Sequence, residues 1–285
     1  MSSESVVVVV GAAAMGSIGH TVAVRSARDG ADVVLADTAR PAWTLPEIES
    51  DAGWEGLPSV AREIERLGRR ALPVACDVTR TGEVAALAEA AAGFGAVTGL
   101  VYTARHPTEP LRPVTELDEE LWLRTFDVNL HGALRCAQAI GPLMTARGGS
   151  IVHVSSVAGL NPLPGRTAYS VSKAGLNMLT RVLALDLAAS GIRVNAVCPG
   201  IIATHRVTPE EVDGAAKLGV SLAAQRRMLL DAQREVIPLG RPGRAEDVAD
   251  AVAFLLSDAG SFITGELLSV SGGQYVPVPP GLGKS

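Results

Sequence analysis

Short apolar runs alternate along this chain with longer segments in which apolar positions recur every three or four residues. Residues 6–10, 32–36, 71–75, 99–102, 150–154, 193–197 and 267–270 have the length and the Val, Leu and Ala content of buried strands. Helical spacing marks 18–29, 59–67, 81–92, 119–147, 167–189 and 245–256. Strands alternating with helices join through right-handed crossovers. The expected fold is therefore one doubly wound α/β domain over 1–285, with a mostly parallel seven-stranded sheet and helices on both faces. Two stretches break the rhythm. Residues 38–58 form an insertion holding Pro41, Pro46, Pro58, Gly53, Gly56, Trp43 and Trp54, and 201–237, helical in pattern over 209–230, reads as a substrate lid. A Pro- and Gly-rich tail, 277–285, reads as a flexible or subunit-clasping end.

Composition narrows the function classes. The chain is 47% hydrophobic and 19% charged with a net charge of −5, and no basic cluster interleaves with aromatics, so nucleic acid is not an expected partner. Cys76, Cys136 and Cys198 lie far apart, without metal-ligand spacing, and read as reduced core thiols of a cytoplasmic protein. The apolar run 6–10 is too short for a signal-peptide core, and no run reaches the ~18 residues of a membrane span.

The first candidate chemistry follows the first strand. In Gly11-Ala-Ala-Ala-Met-Gly16-Ser17-Ile18-Gly19 small residues leave backbone N–H groups open to a pyrophosphate at a helix N-terminus. The plainer alternative is an ordinary strand-to-helix turn. Asp37 ends the second strand, where a carboxylate accepts from ribose hydroxyls and repels the extra phosphate of NADP; Arg40, close by, works against that preference. Asp77, with Val78, follows the third strand, either against the adenine or as an N-cap for the helix near Thr81.

The second candidate lies on the helix 167–189. Tyr169 and Lys173 share one face at i, i+4, and a tyrosine that transfers protons near neutral pH needs a cation beside its phenol. Ser155 and Ser156 close the strand 150–154, at the sheet edge where such folds bind ligands.

Together with Val128-Asn129-Leu130, Ser155-Ser156-Val157-Ala158-Gly159, Arg193-Val-Asn-Ala-Val-Cys-Pro199-Gly200, Ile263-Thr-Gly265 and Gly272-Gly273, these motifs resemble the short-chain dehydrogenase/reductase family along nearly the whole chain. The resemblance implies a Rossmann-type fold and a catalytic tetrad of Asn129, Ser156, Tyr169 and Lys173. In it Ser156 orients the substrate oxygen, Tyr169 is general acid or base, Lys173 lowers the tyrosine pKa and binds ribose, and Asn129 holds a water in a proton relay. It also implies NAD, with NADP less favoured, held by Gly11, Gly16, Ser17, Ile18, Gly19, Asp37, Asp77, Val78, Ala104, Tyr169, Lys173, Pro199, Gly200, Ile202 and Thr204. Plainer readings stand beside two of these: Asn129 as a polar residue inside a helix, and Thr204 as an N-cap. The implied activity is an alcohol dehydrogenase or ketoreductase, and the abundance of Leu, Ala and Pro points to a small, apolar or cyclic alcohol or ketone as its substrate. The implied assembly is a homo-oligomer, a tetramer or dimer, through the helices carrying Asn129 and Tyr169.

Three departures from the family pattern qualify the cofactor end. The glycine turn is longer than GxxxGxG and resembles that of enoyl-thioester reductases, although the Tyr169-x-x-x-Lys173 spacing favours carbonyl chemistry. The family's Asn-Asn-Ala-Gly stands here as Tyr102-Thr103-Ala104-Arg105, so Arg105 is expected at the diphosphate, at an anionic substrate group or swung to solvent. The 38–58 insertion resembles one in carveol-dehydrogenase-like members. Its tryptophans are expected over the adenosine, at a subunit boundary, or as pins of a surface loop. The altered turn and Arg105 leave room for a dinucleotide-binding sensor or scaffold with little activity. Reduction of a C=C bond or redox-neutral epimerisation on the same fold is a further alternative.

Overall fold

A run of five valines, 6–10, is intelligible only as a strand buried on both faces. In the computed structural model, which describes residues 5–39, 47–107, 111–204 and 209–275, these side chains alternate between two cores. Val6, Val8 and Val10 of β1 (Ser5–Val10) pack with α4 (Thr81–Phe94), α6 (Gly132–Ile140) and α7 (Thr167–Leu187) through Leu87, Cys136, Ile140 and Leu176. Val7 and Val9 face α1 (Ile18–Arg28), α3 (Leu57–Arg66) and α10 (Ala245–Leu256) through Val22, Ile64, Val248 and Val252.

The remaining strands are β2 (Asp32–Asp37), β3 (Ala71–Ala75), β4 (Ala96–Tyr102), β5 (Gly149–Val154), β6 (Ile192–Pro199) and β9 (Leu267–Val270). With β1 they form one parallel seven-stranded sheet in the order β3-β2-β1-β4-β5-β6-β9. The chain order reverses between β1 and β4, which opens a crevice beyond their carboxyl ends, where ligands of such folds bind. The expected strands and the doubly wound plan are as observed.

The helices need two corrections. The helix expected over 119–147 runs on through 119–144 but is not regular: α5 (Glu119–Phe126) passes into a π turn (Asp127–His131), then α6, then a 3-10 turn (Gly141–Met144), with helical backbone at each junction. The Tyr102 hydroxyl stands at the π turn. It donates to Val128 O, and a Cβ on Gly132 would lie 2.4 Å from it. The helix expected over 209–230 is two, α8 (Pro209–Leu218) and α9 (Leu222–Val236), separated at Gly219 (φ +63°) and restarted by Ser221, whose Oγ accepts from Ala224 N. Three short elements carried no sequence signal: α2 (Glu47–Asp51) within the insertion, and β7 (Ile202–Ala203) paired with β8 (Gly243–Arg244). Among the described residues no helix is long and apolar enough to cross a membrane. Arg40, Pro41, Trp43, Pro46 and the 277–285 tail lie outside the described residues.

Candidate active site

At the end of β1 the chain must pass two neighbours at close range. Gly11 has φ +95°, and a Cβ there would lie 2.6 Å from Ala104 N. A Cβ on Gly19 would sit 2.1 Å from Gly11 O. Only glycine lets the turn, α1 and the loop after β4 meet this tightly. Ser17 N-caps α1 by accepting from His20 N at 3.1 Å, which leaves Ile18 and Gly19 in the first turn, where N–H groups have no intrahelical acceptor.

The extra length of the turn is held from outside. Asp37 Oδ2 accepts from Ala13 N (2.8 Å), Glu49 Oε1 from Met15 N (2.8 Å) and His20 Nδ1 from Gly16 N (3.0 Å), while Trp54 Nε1 donates to Ala13 O (2.8 Å). Because its Nδ1 accepts, His20 is the neutral tautomer with the proton on Nε2, which faces Glu63 Oε2 at 3.0 Å. Its ring stands edge-on to Trp54 at 5.0 Å. Trp54 is 8% exposed and pins the insertion to the glycine turn itself. Glu49 and His20 escaped the sequence reading. His20 had one local signal, its place four residues after Gly16; Glu49 had none.

Asp77 is not an N-cap. Its Oδ1 accepts from both Thr79 N (2.9 Å) and Thr79 Oγ1 (2.7 Å), and the residue in the cap position of α4 is Arg80. Val78 packs beneath the π turn, within 2.8 Å of where a Gly132 Cβ would stand.

Beyond β5 the two serines divide. Ser155 is buried, and its hydroxyl donates to Lys173 O at 3.3 Å. Ser156 Oγ caps the turn Val157–Gly159 by accepting from Ala158 N at 3.1 Å, which leaves its hydroxyl proton for a donor role. That turn packs on α7 where Asn177 Nδ2 donates to Gly159 O (3.0 Å). One helical turn apart on α7 are half-buried Tyr169 and fully buried Lys173, whose Nζ lies 5.9 Å from the phenol ring centre. Lys173 Nζ donates to Val154 O at 2.9 Å. Burial first, and then the Arg105 guanidinium, push the lysine down to about 7, against a smaller upward pull from Cys198.

Asn129 sits in the π turn, fully buried. Its Oδ1 accepts from His106 N (2.8 Å), its Nδ2 donates to Ser172 Oγ (2.9 Å), and Ser172 Oγ donates to Tyr169 O (2.8 Å). The amide is thus a brace between the loop after β4 and α7, not merely a polar residue inside a regular helix. Arg105, in that loop, does not swing to solvent. It is partly buried, its Nη1 reaches His106 O at 3.4 Å, burial lowers its pKa, the Tyr169 phenol raises it and Arg166 lowers it.

On the far side β6 ends at Pro199, and Gly200 N donates to Val270 O at 3.0 Å. Ile202 pairs with Gly243 across β7 and β8. Thr204 does not cap α8, which begins at Pro209; its carbonyl accepts from Arg226 of α9 and so ties the helical segment to the crevice.

The structure therefore gathers Ser156, Tyr169, Lys173 and Asn129 at one end of the crevice and the glycine turn with Asp37 at the other. A family model described as enoyl-(acyl carrier protein) reductase matches residues 11–274. Cis-4-hydroxycyclohexanecarboxylate dehydrogenase of Sinomonas cyclohexanicum is 40% identical over 95% of this chain and 96% of its own length. Among solved structures, an actinorhodin polyketide ketoreductase with NADPH is similar at TM-score 0.81 and 30% identity, covering 96% of this chain and 98% of that one. A 7α-hydroxysteroid dehydrogenase complexed with NADH and 7-oxo glycochenodeoxycholic acid is similar at TM-score 0.74 and 32% identity, covering 94% and 93%. The chain belongs to the short-chain dehydrogenase/reductase family, oxidoreductases of CH–OH and C=O groups that use nicotinamide cofactors.

Proposed function

We propose that this protein is an NAD(H)-dependent dehydrogenase of cyclic secondary alcohols, or reductase of the matching ketones, with Tyr169 exchanging the proton. The observation that carries this reading is the placement of Tyr169 one helical turn from Lys173, beside the strand end that presents Ser156. The residues fit a dinucleotide. Close-packed Gly11 and Gly19 keep side chains away from the α1 N-terminus, and Asp37 holds its carboxylate there, at the end of β2, through Ala13 N and Thr38 N. The nicotinamide, when bound, takes or gives the hydride.

The chain's own residues handle the proton. Ser156 Oγ, its acceptor side engaged by Ala158 N, donates to the substrate oxygen. Tyr169 Oη takes the alcohol proton in oxidation and returns it in reduction, with Lys173 Nζ one helical turn away on the same face of α7. With its side chain committed to His106 and Ser172, Asn129 acts by holding loop and helix in register. The negative charge of Asp37 selects NAD over NADP. The ring character of the substrate is taken from the Sinomonas relative. An apolar stripe on α7 (Val171, Met178, Val182, Leu185), with Leu123 of α5, supports a homo-oligomer through these helices.

Mixing the protein with NAD and a panel of cyclic secondary alcohols is expected to raise the near-ultraviolet absorbance of NADH, with kcat/KM about tenfold or more lower for NADP. Asp37→Ser is expected to narrow that gap. Tight NAD binding without turnover would defeat the dehydrogenase reading, and faster formation of NADPH would defeat the role of Asp37.

Lys173 gives a pH prediction. Its folded pKa of about 7 lies below the ordinary 10.5, so the unfolded chain binds a proton over this window that the folded chain refuses. The stability contributed by neutral Lys173 is complete above about 10.5 and is lost as pH falls through 7. Urea unfolding of the cofactor-free protein should show stability rising from pH 7 to 8.5. Lys173→Met should flatten the rise; an unchanged slope in that variant would refute the assignment.

A further inference from the structure

We infer that His20 is a positioning residue for the dinucleotide, and that its protonation loosens the glycine turn and weakens cofactor binding as pH falls. The inference rests on the dinucleotide lying at this turn, as proposed above, and adds to it a control by pH.

His20 stands in the first turn of α1, and its ring reaches back to the segment that leads into that helix. Nδ1 accepts from Gly16 N at 3.0 Å, and Gly16 (φ +62°) turns the chain toward Ser17, the N-cap. On the other side Nε2 lies 3.0 Å from Glu63 Oε2 of α3. The two bonds ask different things of the ring. A backbone N–H can only donate, so Nδ1 must be bare to receive it, whereas the Glu63 carboxylate accepts and is served by a proton on Nε2. An imidazolium carries protons on both nitrogens. It keeps the bond to Glu63, now charge-assisted, but it sets two donors against each other at Gly16. The bond to the turn therefore cannot survive protonation. The side chain is 13% exposed, which leaves it open to proton exchange with solvent.

Four side chains hold the turn by its backbone: Asp37 at Ala13 N, Trp54 at Ala13 O, Glu49 at Met15 N and His20 at Gly16 N. Carboxylates as a class titrate near 4 and an indole does not titrate, so the histidine is the anchor whose chemistry changes between pH 5 and 8. Among the described residues, the charged groups bonded to the ring or to the turn are Glu63 of α3, Glu49 of α2 and Asp37 of β2; Trp54, edge-on to the ring, brings none. Protonation has two opposed effects. A cation near the α1 N-terminus draws a diphosphate, and the lost bond removes an anchor from the backbone that would receive it. Glu63, 3.0 Å from the ring, offsets the new charge, so the attraction at the distance of a ligand is small. An N–H deprived of its acceptor disfavours the shape of the turn by the worth of a hydrogen bond or more. The lost anchor decides the sign, and affinity falls toward acid.

The test titrates the full chain with NADH by fluorescence at pH 8 and pH 6. Wild-type affinity is expected to fall about tenfold between the two, the scale of one hydrogen bond withdrawn from a partly buried donor. Lys173 also titrates in this window, but it is present in every variant. In His20→Asn the amide Oδ1 offers Gly16 N an acceptor that does not titrate, so most of the fall should disappear. His20→Leu offers no acceptor and should bind NADH more weakly at pH 8 than His20→Asn. No fall in the wild type, a rise toward pH 6, an equal fall in His20→Asn, or equal affinities of the two variants at pH 8 each overturns the inference. Binding is read and not turnover, so these outcomes stand whether or not any alcohol is oxidised. If NADH binds at neither pH, the dinucleotide reading fails and the Gly16 amide proton decides the switch separately. Its NMR resonance should move upfield from pH 8 to pH 6 in the wild type and hold still in His20→Asn; an unmoved wild-type resonance overturns the role of His20.

Discussion

Tyr169→Phe lowers kcat by about 10²- to 10⁴-fold, the span that a positioned general acid or base contributes, and leaves NADH affinity nearly unchanged. The substitution removes one hydroxyl from a half-buried ring. It does not touch the backbone carbonyl through which Ser172 and Asn129 hold this part of α7, nor the bond from Lys173 Nζ to Val154 O. A merely structural tyrosine would reveal itself through lower stability and weaker cofactor binding. Steady-state rates, a fluorescence titration with NADH and an unfolding curve separate the two cases. A phenylalanine variant that keeps most of its activity would leave the proton without a carrier and sink the mechanism.

Gly19→Ala is expected to act at the other end of the crevice and by sterics alone. The added methyl would stand 2.1 Å from Gly11 O and 2.5 Å from Thr103 Oγ1, so the turn, α1 or the loop after β4 must retreat. Overpacking at one site typically removes about 1–3 kcal/mol of stability, and any retreat reshapes the surface on which a dinucleotide would lie. We expect an unfolding midpoint well below wild type and loss of measurable NADH binding. Gly93→Ala is the control. No heavy atom lies within 4 Å of its added carbon, inside α4, and stability there should rise by about 0.4–1 kcal/mol. Wild-type stability and NADH binding in Gly19→Ala would show that the close approach is not needed.

What the residues disclose in advance follows from how local each feature is. The strands were legible because a parallel sheet is buried on both faces, and nothing but a strand accounts for Val6 to Val10. The spacing of Tyr169 and Lys173 was legible because a helix turns local sequence into a shared face. The π turn between α5 and α6 was not, because the group packed on it, the Tyr102 hydroxyl, reaches Val128 from a strand 26 positions earlier in the chain. The division at Gly219 was open to reading, since Gly219 followed by Ser221 is a helix stop and a helix cap in succession. Arg105 stood out as a departure, but its direction depends on where Tyr169 and Arg166 arrive from α7 and the segment before it. The partners of the glycine turn are hidden for the same reason: Glu49 and Trp54 lie 34 and 41 positions from the groups they hold.

Those long-range partners bear on the thermodynamics of loading the protein. A lengthened turn that ordered itself only around its ligand would charge that ordering against affinity as lost backbone entropy. Here the indole of Trp54, the carboxylate of Glu49 and the imidazole of His20 fix the turn through the protein's own hydrogen bonds. The dinucleotide therefore meets a preorganised cradle, and its association should carry a small entropic penalty, with little of the slow rearrangement that accompanies folding around a ligand.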